Sequence, residues 1–382
     1  MGLKHDLYLS RKPLAGYIAI GMAWSTYFAQ MPVIKANVEA SDGAYGMAIL
    51  VSSLGAITAM WFAPFCQRVF GGSAMTLGIV LVALGMFSSG QSHSLLLLVM
   101  GMTLAAMGTG VVDVLVNARV TQIEARTGRT LMNLNHAMYS FAYAGAALLT
   151  GVFREAELST LLIFSLLTVI LGLLAWAARD RVAPLEEAGG ITGAAMPQTL
   201  VLLAGLVVMA AFLAEAASEG WSALHLERTL GGTPGEGALG PAMMGLTMGI
   251  GRLSGHALAR LMRDTTLMLV ATLVSACGLL LAGLAATVMM ALAGFALAGL
   301  GISVVAPLAL ALVGRIVPPE QRLAAIGRAS VLGYGAFFFG PPLMGFVAQG
   351  FGLRAAFVVV AGVLAATALM LLPALAKRAR PA

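Results

Sequence analysis

Gly101-Met-Thr-Leu-Ala105-Ala-Met-Gly108-Thr-Gly-Val111-Val112 returns later in the chain as Gly294-Phe-Ala-Leu-Ala298-Gly-Leu-Gly301-Ile-Ser-Val304-Val305, an offset of 301 − 108 = 193 residues. A second pair keeps nearly the same spacing. Gly43-Ala-Tyr-Gly46-Met-Ala48 returns as Gly237-Ala-Leu-Gly240-Pro-Ala242, an offset of 240 − 46 = 194. Both pairs lie in or beside long apolar runs, so the duplicated unit is half of a membrane protein.

Composition fixes the solvent. The 382 residues are 60% hydrophobic and only 10% charged, with a mean hydropathy of +0.94. A soluble chain carries roughly 25% charged residues, so this one has too little polar surface to face water all round. The 46 glycines suit close helix packing in lipid. Runs such as Leu161 to Ala178 and Phe357 to Leu372 do not alternate in polarity, which excludes a closed barrel and leaves helices. The net charge of +6 sits in short loops rather than on a nucleic-acid face, so no nucleic-acid partner is expected. Cys66 and Cys277 fall in different halves and read as two unpaired buried thiols. No metal-ligand cluster, nucleophile elbow or phosphate loop is visible, so neither a metal, a cofactor nor an enzyme is expected. The basic start through Lys12, followed by Leu14 to Ala23, resembles a signal peptide but lacks a small-residue cleavage site and reads as a retained first helix.

About 20 apolar residues cross a ~30 Å core. That rule predicts spans near 14–36, 44–66, 73–91, 94–122, 134–154 and 157–178, then 198–226, 238–262, 266–286, 288–314, 324–350 and 352–374. The expected fold is all-α and integral to the membrane, with twelve transmembrane helices in two pseudo-symmetric six-helix bundles. The bundles occupy residues 1–178 and 198–382, with a Gly- and Glu-rich linker at 179–197. Basic loop residues gather on one side, among them Lys4, Arg68, Arg119, Arg129, Arg179, Arg263, Arg315 and Lys377. The other side holds only Lys35, Arg154, Arg228 and Arg354. By the positive-inside rule both termini are cytoplasmic, in a multi-pass protein of the inner membrane.

Two six-helix halves with cytoplasmic ends and a central linker resemble the major facilitator superfamily over essentially the whole chain. The loop Pro64-Phe-Cys-Gln67-Arg68-Val-Phe-Gly71-Gly72 is similar to that family's acidic-basic loop signature, with Gln67 where the family has its acid. Arg260-Leu-Met-Arg263-Asp264 and Val317-Pro-Pro-Glu320-Gln-Arg322 also resemble family loops. Asp113-Val-Leu-Val-Asn117 resembles the Glu-x-x-x-Asn of fucose-permease-like proton symporters, although Trp24 to Pro32 lacks the acid that those proteins carry in their first helix. The resemblance implies a transporter with its site between the halves.

Ionisable groups inside the bilayer are costly and mark function. Asp113 lies six residues before Arg119, about 9 Å along the helix, and Asn117 shares its face at i+4. The repeat aligns Asp113 with Ala306 and Asn117 with Leu310, so packing alone does not call for them. Asp113 and Glu215 are the candidate proton-coupling acids, with Glu219 one turn beyond Glu215. Arg252, two turns before Arg260, needs a carboxylate partner or an anionic ligand, and Asp113 is the expected partner. His136 and Tyr139 share a stripe of the fifth span, and Trp24, Tyr27 and Gln30 share one of the first. Together with Asn117, Glu219 and Arg252, they form the expected substrate-binding set.

The expectation is a monomeric secondary active transporter that moves a small organic solute by alternating access, with protons as coupling ion. An exporter of broad specificity is the alternative within the class, and 23 methionines suit loose substrate choice. A non-transporting membrane sensor is the alternative outside it.

Overall fold

The structure is a computed structural model that describes residues 2–179, 197–318 and 321–379, with the side chains at 256–260 and 323 outside the description. The linker expected at 179–197 is therefore described only at Arg179 and Pro197. The loop signature around Glu320 and the side chain of Arg260 also lie outside the described residues.

A short helix α1 (Leu3–Leu9) precedes the first span, which is α2 (Arg11–Ala29) followed by α3 (Met31–Asn37). Pro32 has no N–H to bond back into α2, so the helix breaks at Gln30. Then come α4 (Asp42–Phe70), α5 (Ala74–Gly90), α6 (Leu95–Thr127), α7 (Met132–Glu155) and α8 (Thr160–Ala178). Ser41, Ser94 and Ser159 cap α4, α6 and α8 by accepting a backbone N–H. Gly71 (φ 53°) and Gly128 (φ 67°) turn the chain back at positive φ.

The second half runs α9 (Gln198–Leu224), a π-helical turn His225–Thr229, α10 (Pro234–Leu261) behind a Thr233–Glu236 capping box, and α11 (Asp264–Leu284). The tenth span, expected as one helix, is two, α12 (Val288–Ile302) and α13 (Val305–Ile316). Pro307 withdraws the N–H that would bond to Ser303 and breaks the ladder there. The eleventh and twelfth spans run on as α14 (Arg322–Ala366), which doubles back at Gly352 (φ 84°, ψ 163°). A π turn at Thr367–Leu371 then leads to α15 (Leu372–Arg378).

Seven helical stretches are long and apolar enough to cross a membrane, and two of these, 42–90 and 324–378, each hold two antiparallel helices. The crossings below that apolar threshold are α2, α7 and α10. They pack against one another at the centre of the molecule, where polar side chains are sheltered from lipid. The all-α fold of twelve spans in two pseudo-symmetric bundles is the one observed.

The repeat holds contact by contact. A Cβ on Gly85 of α5 would lie 2.6 Å from the carbonyl oxygen of Gly101 on α6, and one on Gly278 of α11 would lie 2.6 Å from that of Gly294 on α12. A Cβ on Gly108 would meet the Val82 nitrogen at 2.6 Å, and one on Gly301 the Ser275 nitrogen at 2.8 Å. Both members of each pair are displaced by the same 301 − 108 = 193 residues. The duplicated glycines are thus the places where two helix backbones touch. Between the halves, α7 packs on α10 and α4 on α14, with α2 reaching α9 and α10.

Cys66 and Cys277 are free, as expected, but Cys277 is exposed and Cys66 half-buried, so neither is a core thiol.

Candidate functional site

Two polar clusters meet in the middle of the bundle. On α6, the Asn117 amide donates to its own helix at the Asp113 carbonyl (2.8 Å) and to the Asp113 carboxylate (3.1 Å). Its carbonyl oxygen accepts from the Tyr17 hydroxyl of α2 at 2.8 Å. The His136 ring of α7 completes the group, with Nε2 3.5 Å from the Tyr17 oxygen and its ring edge-on to Tyr17 at 4.9 Å. From the second half, the Tyr334 hydroxyl of α14 faces the Asp113 carboxylate. Asp113 is half-buried, and its contacts here are an amide and a phenol rather than a cation.

The second cluster is built around Arg252 of α10. Its Nη1 donates to Ser140 Oγ at 2.5 Å and to the His136 carbonyl at 3.4 Å, and both acceptors lie on α7. Its Nη2 lies 3.5 Å from Glu215 Oε1 of α9. The expected pairing of Arg252 with Asp113 is thus replaced by Glu215 and Ser140. The i+4 geometry instead turns Asp113 toward Asn117. Glu219, one turn beyond Glu215, is buried rather than wetted at the helix end. Tyr139 lies among Glu219, Glu215, Arg252 and Asp113, beside Tyr143, whose buried hydroxyl has no hydrogen-bond partner among the described residues.

The stripe on the first span divides. Trp24 donates from Nε1 to Thr109 Oγ1 at 3.0 Å, and Thr109 sits one turn before Asp113. Tyr27 is fully buried, its hydroxyl 2.9 Å from both the Tyr45 hydroxyl and the Met102 sulfur. Gln30 is buried too, and its Oε1 has no partner among the described residues. The structure therefore gathers Asp113, Asn117, His136, Tyr139, Glu215 and Arg252 around the centre, with Trp24 at its edge. Tyr27 and Gln30 stand apart, toward the end of the bundle away from the chain termini.

That distal end is joined across the halves. Arg154 at the end of α7 grips Glu227 of the π turn with two nitrogens, at 2.6 and 2.9 Å, and also donates to the Ala29 carbonyl at 2.7 Å. Arg228 holds Asp42 of α4 through both carboxylate oxygens, at 2.9 and 2.6 Å, while Lys35 reaches the same carboxylate at 2.9 Å. Two backbone bonds add to the seam, Gly43 N–H to Gln349 Oε1 (2.9 Å) and Gly235 N–H to Glu155 Oε2 (2.8 Å). Sequence reasoning missed this seam. Its one available signal was that the basic residues on the minority side of the loop count, Lys35, Arg154, Arg228 and Arg354, all needed partners. Arg354 finds its partner in the Ala285 carbonyl at 2.5 Å. Among the described residues, no group of three or more His, Cys, Asp and Glu side chains is placed to hold a metal ion.

Residues 204–382 match the Major Facilitator Superfamily model. The chain is 27% identical over 379 residues to the uncharacterized transporter y4wD of Sinorhizobium fredii, covering 94% of this chain and 96% of that one. It is 28% identical over 368 residues to an uncharacterized MFS-type transporter of Yersinia pestis, covering 91% of each. The chain is thus similar, along nearly its whole length, to transporters of the major facilitator type. Solved structures agree on the facilitator fold. A bacterial homolog of the human lysosomal transporter Spinster superposes with a TM-score of 0.76 at 14% identity over 100% of both chains. The transporter FucP does so with a TM-score of 0.63 at 16% identity, over 98% of this chain and 100% of that one. The polar clusters lie where the α2–α7–α10 core meets α6, α9 and α14, between the two halves.

Proposed function

We propose that the protein is a monomeric, proton-coupled secondary transporter. It carries a small organic solute across the inner membrane by alternating access, with both termini cytoplasmic. The observation that carries this reading is the contrast between the ends and the middle. The distal seam is stapled across the halves by Arg154–Glu227 and Arg228–Asp42, whereas among the described residues Asp113, Glu215 and Arg252 in the centre make no ion pair from one half to the other. With the positive-inside orientation, the stapled end is periplasmic and the centre is reached from the cytoplasm. The structure then corresponds to an inward-open state, and parting of the seam generates the opposite one.

Asp113 is the proton site in this reading. Among the described residues its hydrogen-bond partners, Asn117 and Tyr334, carry no positive charge, so a proton or a cationic group on the solute supplies the neutralising charge. Tyr334 belongs to the other half, so the state of Asp113 is felt directly at the interface that must move. Asn117, Tyr17, His136, Ser140 and Tyr139 supply donors and acceptors suited to a polar solute. The test is Asp113→Asn in proteoliposomes. Accumulation driven by a proton gradient should vanish, while exchange of labelled for unlabelled solute persists. Wild-type accumulation by that variant removes Asp113 from the coupling.

A further inference from the structure

We propose that a second, separate site on this protein binds the phosphate of an anionic phospholipid. It lies at the termini end of the second half, away from the central clusters. A cavity of about 900 Å3 opens there between the start of α11, the end of α13 and α15. Arg263, Arg315 and Lys377 line it, against a single acid, Asp264. Asp264 is already spent on an ion pair with Arg315, which fastens α11 to α13. Arg263 and Lys377 are exposed and have no ion pair among the described residues, so the cavity keeps two unneutralised positive charges.

Three further features select a phosphate carried on a lipid. Arg263 is the N-cap residue of the 21-residue helix α11 and makes no side-chain cap, so first-turn N–H groups are left to be satisfied from the cavity. Thr265 and Thr266 add two hydroxyls to the same wall, neither bonded internally among the described residues. The remaining lining is largely apolar and includes Leu269, Leu312, Leu372 and Pro373. A soluble anion has no use for such a wall, whereas an acyl chain does. Basic pockets at the end of transmembrane helices attract anionic head groups in this way.

The test uses the delipidated full chain in detergent, titrated separately with dioleoylphosphatidylglycerol, dioleoylphosphatidylcholine and inorganic phosphate. Bound lipid is counted by native mass spectrometry, and the melting temperature is followed in parallel. Phosphatidylglycerol should bind and raise the melting temperature, with little effect from the other two. R263Q and K377Q should each weaken phosphatidylglycerol binding about fivefold, while K4Q in the first half should leave it unchanged. K377Q alters an exposed residue of the last helix and carries the comparison alone should R263Q not fold. Wild-type affinity in both variants, or equal binding of phosphatidylcholine, overturns the site. Protection by inorganic phosphate at matching concentration overturns the lipid assignment in favour of a soluble anion.

Discussion

Replacing Glu227 with glutamine tests the distal seam at its most buried pair. The side chains of Arg154 and Glu227 are 5% and 17% exposed and share two hydrogen bonds, so solvent screens the interaction little. Glutamine keeps the shape and one acceptor but removes the charge. The guanidinium retains the Ala29 carbonyl and, at 3.3 Å, that of Pro234. The loss is therefore that of a charge-assisted bond, about 1.5–3 kcal/mol, rather than the ~3–5 kcal/mol of a stranded buried ion. Because the pair crosses the halves, the loss falls on the shut state alone. It shifts the equilibrium roughly ten- to a hundredfold, so a protein about 99% shut at this end falls to between about 90% and 50%. Spin labels at His93→Cys and Ala286→Cys, on exposed loops of opposite halves, report that distance by double electron–electron resonance once Cys66 and Cys277 are replaced. A longer-distance population should appear in Glu227→Gln. A folded variant with the unaltered wild-type distribution would show that this pair does not hold the seam.

Arg252 and Glu215 should behave as a coupled pair in thermal unfolding. Arg252→Ala and Glu215→Ala each destabilise, and the double variant loses less than their sum. Strict additivity in the double-mutant cycle refutes the coupling. Gly85→Val and Gly278→Val should each cost about 1–3 kcal/mol through overpacking against a facing backbone. Similar falls in melting temperature are expected at both sites, and a neutral result at either breaks the contact-by-contact equivalence of the halves. The Arg129 guanidinium beside Asp6 holds that carboxyl below its ordinary value of 3.8. The docking of α1 is thus fully supported above that value and lost as pH falls through the lower folded value. Hydrogen exchange over residues 3–9 should accelerate there before α6 is affected, and protection of α1 independent of pH refutes the link.

The bundle architecture was legible because membrane helices announce themselves by length and apolarity, and because duplicated glycines mark backbone contacts that recur at a fixed offset. Asp113 and Asn117 were legible for a local reason, since one helical turn joins them. The partner of Arg252 was not. Choosing between Asp113 and Glu215 needs the angle at which α9, α6 and α10 meet, and no spacing within one helix carries that angle. The seam was hidden for another reason. Arg154 and Arg228 stand at helix ends, where basic residues are ordinarily solvated, and their acids lie 73 and 186 residues away in sequence. The breaks were readable from the prolines, because Pro307 withholds the donor that Ser303 would accept and Pro32, two residues after Gln30, suits the first turn of a new helix. Tyr17 was within reach as well, lying two helical turns before Trp24 on the same stripe.

The two staples of the seam are unequal when they let go. Asp42 is shared, held by Arg228 from the opposite half and by Lys35 from its own, so separation leaves it a cation and leaves the exposed Arg228 to water. Arg154 also keeps a companion, the Ala29 carbonyl of its own half. Glu227 is the exception, because Arg154 is its ion-pair partner and departs with the other half. One carboxylate therefore bears most of the electrostatic penalty of parting, and it is widowed as the distal end begins to admit water. In the proposed cycle, the toll for opening would thus fall with the wetting of a single side chain, Glu227.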